Sequence, residues 1–185
     1  MKLNAKRIIE HYYRPGSKTH TLLVNHGRQV ADKALAIARN LNGSRLDLNF
    51  IEQAAILHDI GIFLTDTPAL GCHGSHPYIS HGFLGHDLLA NEGLPDYARV
   101  CERHVGVGIS KKDILAHGLP LPVRDMLPVT LTEAIICYAD KFFSKNGNGF
   151  GREKSIDDVR KNIESYGSAQ LSRFLKWHDM FAGGS

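Results

Sequence analysis

Apolar residues recur along this chain at the three- and four-residue spacing of a helix face, with no convincing run of the alternation expected of a half-buried strand. In HTLLVNHGRQVADKALAIARNLNG (20–43) the stripe is Leu23, Val30, Ala34, Ile37 and Leu41, and it stops at Gly43. NFIEQAAILHDIG (49–61) opens on Asn49 as an N-cap with Glu52 at capping-box spacing, and runs to Gly61. A loop rich in turn residues and histidine, TDTPALGCHGSHP (65–77), precedes a helix over about 78–91, closed by NEG. A further helix is predicted from about Asp96 to His104, then a short one in SKKDILAHG between Ser110 as cap and Gly118 as stop. GLPLPVRDMLP (118–128) holds three prolines and reads as a connection.

TLTEAIICYADKFF has Thr130 and Glu133 at capping-box spacing and is apolar nearly all round, which places it centrally in the core. SKNGNGFGREKS (144–155) reads as a mobile loop, two helical segments follow over about 156–166 and 168–181, and the tail AGGS is expected to be disordered. The fold class predicted is all-α.

Composition narrows the picture without redirecting it. A length of 185 residues suits one compact domain, and 43% apolar with 22% charged residues is ordinary for a soluble globular protein. A net charge of +3, scattered along the chain, is compatible with an anionic small molecule and argues against a nucleic-acid polymer as partner. Cys72, Cys101 and Cys137 lie far apart and lack C-x-x-C spacing, which argues against a disulfide framework or a thiolate zinc knot and fits a reducing, cytoplasmic setting. MKLNAKRIIEHYY has no apolar core of signal-peptide length, and no stretch approaches the ~18 apolar residues of a membrane span. No membrane partner is expected, while a homo-oligomer stays open.

Eleven histidines are the unusual feature, and four of them fall in line with apolar stripes. His26 lies three and four residues from Leu23 and Val30; His58 follows Ile51 by seven and Ala54 by four. His81 precedes Leu84 by three and Leu88 by seven; His104 follows Tyr97, Val100 and Cys101 by seven, four and three. Each ring therefore faces the buried side of its helix. Asp59 and Asp140 are the acidic residues set in the most apolar helical runs. A salt bridge from Asp140 to Lys141 is not expected, because adjacent helical residues do not face each other. One buried histidine is ordinarily a hydrogen-bonded core residue. Four with two carboxylates in one small core point instead to a shared partner, one or two divalent ions of Fe, Mn, Zn, Ni or Co.

The order His26, His58-Asp59, Asp140, with HDIG intact, resembles the HD-domain superfamily of metal-dependent phosphohydrolases. The resemblance covers roughly residues 20–145, with ERHVGVG and CYADKF similar in context to small HDIG-type proteins. It implies a compact multi-helix HD-domain bundle, residues 1–185 as a single domain, with C-terminal helices at about 156–181 packed on the core. It also implies that His26, His58, Asp59 and Asp140 hold one metal, and that His81 and His104 belong to the subset with a two-metal centre, bridged by Asp59. One departure stands out: many HDIG proteins carry Lys or Arg after the glycine, where this chain has Ile62. A phosphate-facing cation is then missing or supplied from elsewhere, which weakens assignment to the cyclic-dinucleotide phosphodiesterases.

The activity implied is hydrolysis of a phosphate ester or phosphoanhydride in a nucleotide or other small phosphorylated molecule. The alternatives are a non-catalytic metal- and nucleotide-binding sensor and a di-iron oxygenase. Asp59 and Lys141 are the candidate catalytic residues; Arg28, Arg103 and Lys145 are the candidate substrate-binding cations. His73 and His76 lie in the loop after the HD doublet, and His86 reads as a core residue. GNGFG lacks a preceding strand and a following Lys-Ser/Thr, so a P-loop is unsupported.

Overall fold

A computed structural model describes residues 3–41, 45–145 and 151–182. Among these, nine α-helices follow in chain order: α1 (Ala5–Tyr12), α2 (Lys18–Asn40), α3 (Leu48–Leu57), α4 (His81–Asn91), α5 (Pro95–Arg103), α6 (Lys111–His117), α7 (Leu131–Asp140), α8 (Ile156–Glu164) and α9 (Ser168–Ala182). The chain is helical as the periodicity predicts. Gly43, the expected stop of α2, residues 146–150 of the expected loop and residues 183–185 of the tail lie outside the described residues, while Ala182, the first residue of that tail, is helical and ends α9. No described helix is long and apolar enough to cross a membrane.

Capping explains most helix starts. Ser110 with Asp113 and Thr130 with Glu133 both form complete capping boxes, in which side chain and backbone satisfy each other's unpaired groups. The expected cap at Asn49 is displaced: α3 starts earlier, because the Asp47 carboxylate accepts from the Phe50 N–H at 2.9 Å. Its end is displaced too. α3 stops at Leu57, His58 occupies the C-cap, and a 3₁₀ turn runs over Ile60–Leu64. Gly61 is therefore needed for space rather than for stopping a helix. A Cβ there would lie 2.3 Å from the His81 carbonyl oxygen and 2.4 Å from the Gly85 nitrogen, so its absence lets α4 press against the turn.

The segment 65–77 is not a plain loop. Asp66–Thr67 (β1) and Cys72–His73 (β2) pair antiparallel in register Asp66↔His73, with Pro68 and a left-handed Gly71 in the turn between them. Strands of two residues are too short to carry alternation. Helix α1 is also not signalled by the main stripes. Asn4 caps it, Ala5 and Ile9 bury a narrow face, and beyond its end the Tyr13 O–H donates to the Ile60 carbonyl at 2.6 Å. This N-terminal piece thus clamps the turn that carries Asp59.

Two large apolar clusters pack the bundle, beside a small one of Ile114, Leu121 and Met126. One joins Val30, Ala34, Ile51, Ile135 and Ile136 to Ile163 of α8 and to Phe174 and Phe181 of α9. The other joins Ile9, Leu23, Leu57, Ile60 and Ile62 to Leu89 and Cys101. Along α2, His26 falls between Leu23 of the second cluster and Val30 of the first; along the next segment, His58 falls between Ala55 of the first and Ile60 of the second. The polar residues thus sit at the seam of two apolar cores, where burial makes unpartnered charge costly. All three cysteines are free and buried.

Candidate metal centre

Helix ends deliver the imidazoles. His58 ends α3, His104 ends α5, and His81 ends the 3₁₀ turn Tyr78–Ser80 as α4 begins. Each ring Nδ1 meets the carbonyl three residues back: Ala55 at 2.6 Å, Cys101 at 2.7 Å and Tyr78 at 2.6 Å. Only an N–H can satisfy a carbonyl, so when neutral these rings carry their proton on Nδ1 and present a bare Nε2 inward. His26 sits inside α2 instead. Its Nε2 lies 2.9 Å from Asp140 Oδ1, and its buried Nδ1 has no hydrogen-bond partner among the described residues.

The six expected residues converge, all of them buried. Asp59 is the hub, and its two oxygens face different partners. Oδ2 lies 3.1 Å from His58 Nε2 and 3.3 Å from His26 Nε2. Oδ1 lies 3.2 Å from His81 Nε2 and 3.3 Å from His104 Nε2. Asp140 closes the first group, its Oδ1 3.4 Å from His58 Nε2. Two sets of potential ligands result, His26, His58, Asp59 and Asp140 in one, Asp59, His81 and His104 in the other, with ligand atoms in each within 4.8 Å of one another.

The donor set fits divalent ions. His81 and His104 turn their Nε2 atoms towards each other at 3.1 Å, and two bare lone pairs at that distance repel unless a cation lies by them. His58 Nε2 and both Asp59 oxygens are buried without a well-aligned hydrogen bond among the described residues. Imidazole and carboxylate together suit first-row ions, at ligand distances of ~2.0–2.2 Å.

The metal-free electrostatics describe a site in need of positive charge. Burial opposes ionisation of Asp59, yet His58 and then Lys145 hold its carboxyl well below the usual range. Burial likewise opposes charge on Asp140, and Lys141 and Lys145 hold that carboxyl low. Burial would push His58 down, but Asp59 and Asp140 outweigh it and raise the ring to about 9. His104 goes the other way, to about 3, because burial and the neighbouring His58 charge outweigh its bond to Asp59. Protonated His58, Lys141 and Lys145 are thus the cations that the carboxylates recruit when no ion supplies the charge.

The candidate cations separate cleanly. Lys145 points into the cluster, its Nζ 2.9 Å from Asp59 Oδ2 and 3.8 Å from Asp140 Oδ1. Lys141 overturns an expectation: its Nζ does pair with Asp140, at 2.7 Å from Oδ2, and donates to the His104 carbonyl at 3.0 Å. Helical geometry forbids that pairing only within a helix, and α7 ends at Asp140. Arg28 is exposed and does not line the cavity beside the cluster; two positions beyond His26 on α2, it is turned about 200° from the ligand face. Arg103 is spent elsewhere, its Nη1 donating to both Glu133 oxygens at 2.9 and 3.0 Å. That pair fastens α5 to the start of α7. His73 and His76 are exposed, and His86 is no core residue: it is half-buried and pairs with Asp87 at 2.9 Å.

A cavity of about 740 Å³ opens beside the cluster, with His81, His104, Asp140, Lys141 and Lys145 in its lining. Among the lining residues that the sequence did not signal, Lys154 and Tyr78 lie near the cluster. Lys154 lines the cavity, and burial, then the two other lysines against the pull of Asp140, lower its pKa; its backbone N–H donates to the Phe142 carbonyl at 2.8 Å. Tyr78 stacks on the His81 ring at 4.6 Å, with burial raising its phenol against the pull of the Lys145 ammonium. Ile62, at the position where many HDIG proteins have a cation, is fully buried in the second apolar cluster.

The family model of the HD domain matches residues 23–144, a span that takes in all six clustered residues. The chain belongs to the HD-domain family. This HD domain is 35% identical over 146 residues to an uncharacterized protein of Methanocaldococcus jannaschii, covering 77% of this chain and 75% of that protein. It is 31% identical over 161 residues to a tRNA (cytidine(56)-2′-O)-methyltransferase of Thermoplasma volcanium, with 83% of this chain and 41% of that protein covered. A protein of the same name from Picrophilus torridus is 31% identical over 124 residues, 66% of this chain and 32% of its own length. The chain thus spans less than half of the two methyltransferase relatives. Among solved structures, the HD domain of the L. monocytogenes phosphodiesterase PgpH superposes with a TM-score of 0.52 at 15% identity, over 88% of this chain and 91% of that one. At that identity the likeness speaks for the HD-domain fold.

Proposed function

We propose that this chain is a metal-dependent phosphohydrolase acting on a phosphate ester or phosphoanhydride of a nucleotide or other small phosphorylated molecule. The observation that carries the reading is Asp59: a fully buried carboxylate whose two oxygens face two separate imidazole groups, at the side of a lysine-lined cavity. His26, His58, Asp59 and Asp140 would hold one divalent ion, and Asp59, His81 and His104 a second. Bound there, such ions supply Lewis acidity towards phosphate oxygens and lower the pKa of water.

The remaining work falls to side chains of this chain. Lys145 and Lys154 offset charge on the phosphate oxygens. Lys141 acts one step back. By gripping both Asp140 and the His104 carbonyl, it fixes two ligand-bearing helix ends against each other, a positioning role in place of the catalytic one expected. The carbonyls of Ala55, Tyr78 and Cys101 hold the rings of His58, His81 and His104 in the orientation and tautomer that ligation needs. Residues 1–185 are read as a single HD domain, because Ile163, Phe174 and Phe181 of the C-terminal helices share an apolar cluster with α2, α3 and α7. Methyl transfer is not carried over from the two named methyltransferases, since the match leaves most of their length without a counterpart here.

The test is metal analysis of chain purified without chelator, followed by hydrolysis assays with manganese, iron and cobalt on nucleotides, dinucleoside polyphosphates and simple phosphate esters. The expected result is bound metal that His58→Ala removes, together with metal-dependent release of phosphate or of a phosphorylated product. Metal below about one ion per chain and unchanged by His58→Ala would sink the reading. Tight ligand binding with no turnover of any ester would favour the sensor alternative.

A further inference from the structure

The cavity is lined by two chemically different groups of side chains. Three cations, Lys141, Lys145 and Lys154, belong to the region of Asp59 and Asp140, as their ion pairs and mutual charge effects attest. Beside Thr67, Tyr78 and Ser144, a second polar group comes from α6, α8, the turn after α8, and α9, and its Asn162, Ser165, Tyr166 and Gln170 carry no formal charge. Among the described residues, none of these four hydrogen-bonds to the ligand cluster or to the lysines. Tyr166 is 49% exposed, with its ring held in place by an Oη–H donated to Asn162 Oδ1 at 3.0 Å. Ser165 Oγ donates to the Asn162 carbonyl at 2.7 Å. The Asn162 amide N–H₂ thus stays available as a donor.

Asp113 adds the one formal negative charge to this part of the lining, and its side-chain bonds with Ser110 and Gln170 help keep its carboxyl low. A carboxylate here disfavours a second anionic group on the ligand, while the lysines concentrate the demand for anionic charge beside the cluster. An exposed aromatic face flanked by an amide donor and hydroxyls is the lining that an uncharged, hydrogen-bonding ring fills, and ~740 Å³ lies within the size range of small-molecule sites. Residues 162–170 lie outside the 23–144 span that the family model matches, so this wall is no part of the HD-domain match itself.

We infer that Asn162, Tyr166 and Gln170 form a specificity subsite for the alcohol portion of a phosphomonoester, and that this portion is an uncharged ring bearing hydrogen-bonding groups, a nucleoside or a sugar. The inference rests on the phosphohydrolase reading and adds to it which residues choose the substrate. Stacking on Tyr166 supplies affinity, and the amides of Asn162 and Gln170 supply direction.

Binding of inorganic phosphate, ribose phosphate, and purine and pyrimidine nucleoside monophosphates to the metal-loaded full chain, followed by calorimetry, tests this. In the unaltered chain the ring-bearing esters bind more tightly than inorganic phosphate. Tyr166→Ala and Gln170→Ala each weaken the ring-bearing esters by roughly tenfold, with inorganic phosphate changed by less than about twofold, and Tyr166→Phe restores stacking. A loss restricted to nucleoside monophosphates assigns the stacked ring to a base; a loss shared with ribose phosphate assigns it to the sugar. Esters no tighter than inorganic phosphate, or variants that weaken both alike or neither, overturn the subsite and leave the hydrolase reading standing. No binding of inorganic phosphate to the unaltered chain overturns both.

Discussion

The two halves of the His/Asp cluster share Asp59 but differ in charge and access. The inner half, around Asp59 Oδ2, contains a second carboxylate, Asp140, whose residue lines the cavity, while the rings of His26 and His58 are fully buried and do not line it. The outer half, around Oδ1, has the imidazoles of His81 and His104, and both of these line the cavity. Two carboxylates hold a dication more strongly than one, and a site that faces a cavity exchanges more readily. Under the proposed function, the inner half would keep an ion and the outer half would meet a ligand.

Four experiments would break or sharpen this contrast. Asp59→Asn removes charge from both halves at once, so metal retention should collapse and kcat/KM for the ester that is turned over should fall by roughly a thousandfold. Retained metal and rate would remove Asp59 from the centre. Single-ligand variants should then split the halves. His26→Ala should strip most of the metal, whereas His104→Ala should leave about one tightly held ion per chain with a rate loss on the order of a hundredfold. Equal metal loss in the two variants, read by elemental analysis, would erase the distinction.

Lys145→Met tests the cation nearest Asp59. It should raise KM for the phosphate ester roughly tenfold, with Arg28→Met changing it less than about twofold because that side chain faces solvent. Equal effects would mean that the cluster does not draw its phosphate contact from Lys145. The smallest effect concerns pH in chelated protein. There Asp59 and Asp140 raise His58 from 6.5 to about 9, so the protonated ring contributes stability that is fully present below about pH 6.5 and is lost as pH rises through about 9. Tm of the chelated chain should therefore fall across that interval, and added divalent ion should flatten the fall, since a ligand imidazole is neutral. A chelated Tm that rises from pH 6.5 to 9 would contradict this balance of charge.

Legibility in the sequence followed the range of the interaction. His26, His58, His81 and His104 could be placed on inward faces because helical periodicity is local, and Ser110 and Thr130 could be named as caps because capping boxes span three residues. Competition between near-equal local signals went astray, as when Asp47 took the N-cap that Asn49 also suits. Charged side chains were the least legible. Arg28 and Arg103 flank ligands in sequence, yet one faces solvent and the other serves Glu133 thirty positions away. Lys154 reaches the cavity through a backbone bond to Phe142 that no motif announces. The Ile62 departure acquired a physical sense: that position points into the core, and the cavity draws its cations from residues 141–154 instead.

By itself the sequence determined that the chain is helical, that four imidazoles and two carboxylates face inward, and that their order is that of the HD-domain family. These are properties of spacing, and spacing is written in the chain. Tertiary structure alone decided that Asp59 turns one oxygen to each group of histidines, that Tyr13 and Gly61 hold its turn against α1 and α4, and which lysines share the cavity. Those outcomes depend on contacts between segments tens of residues apart, where packing, burial and charge are settled jointly.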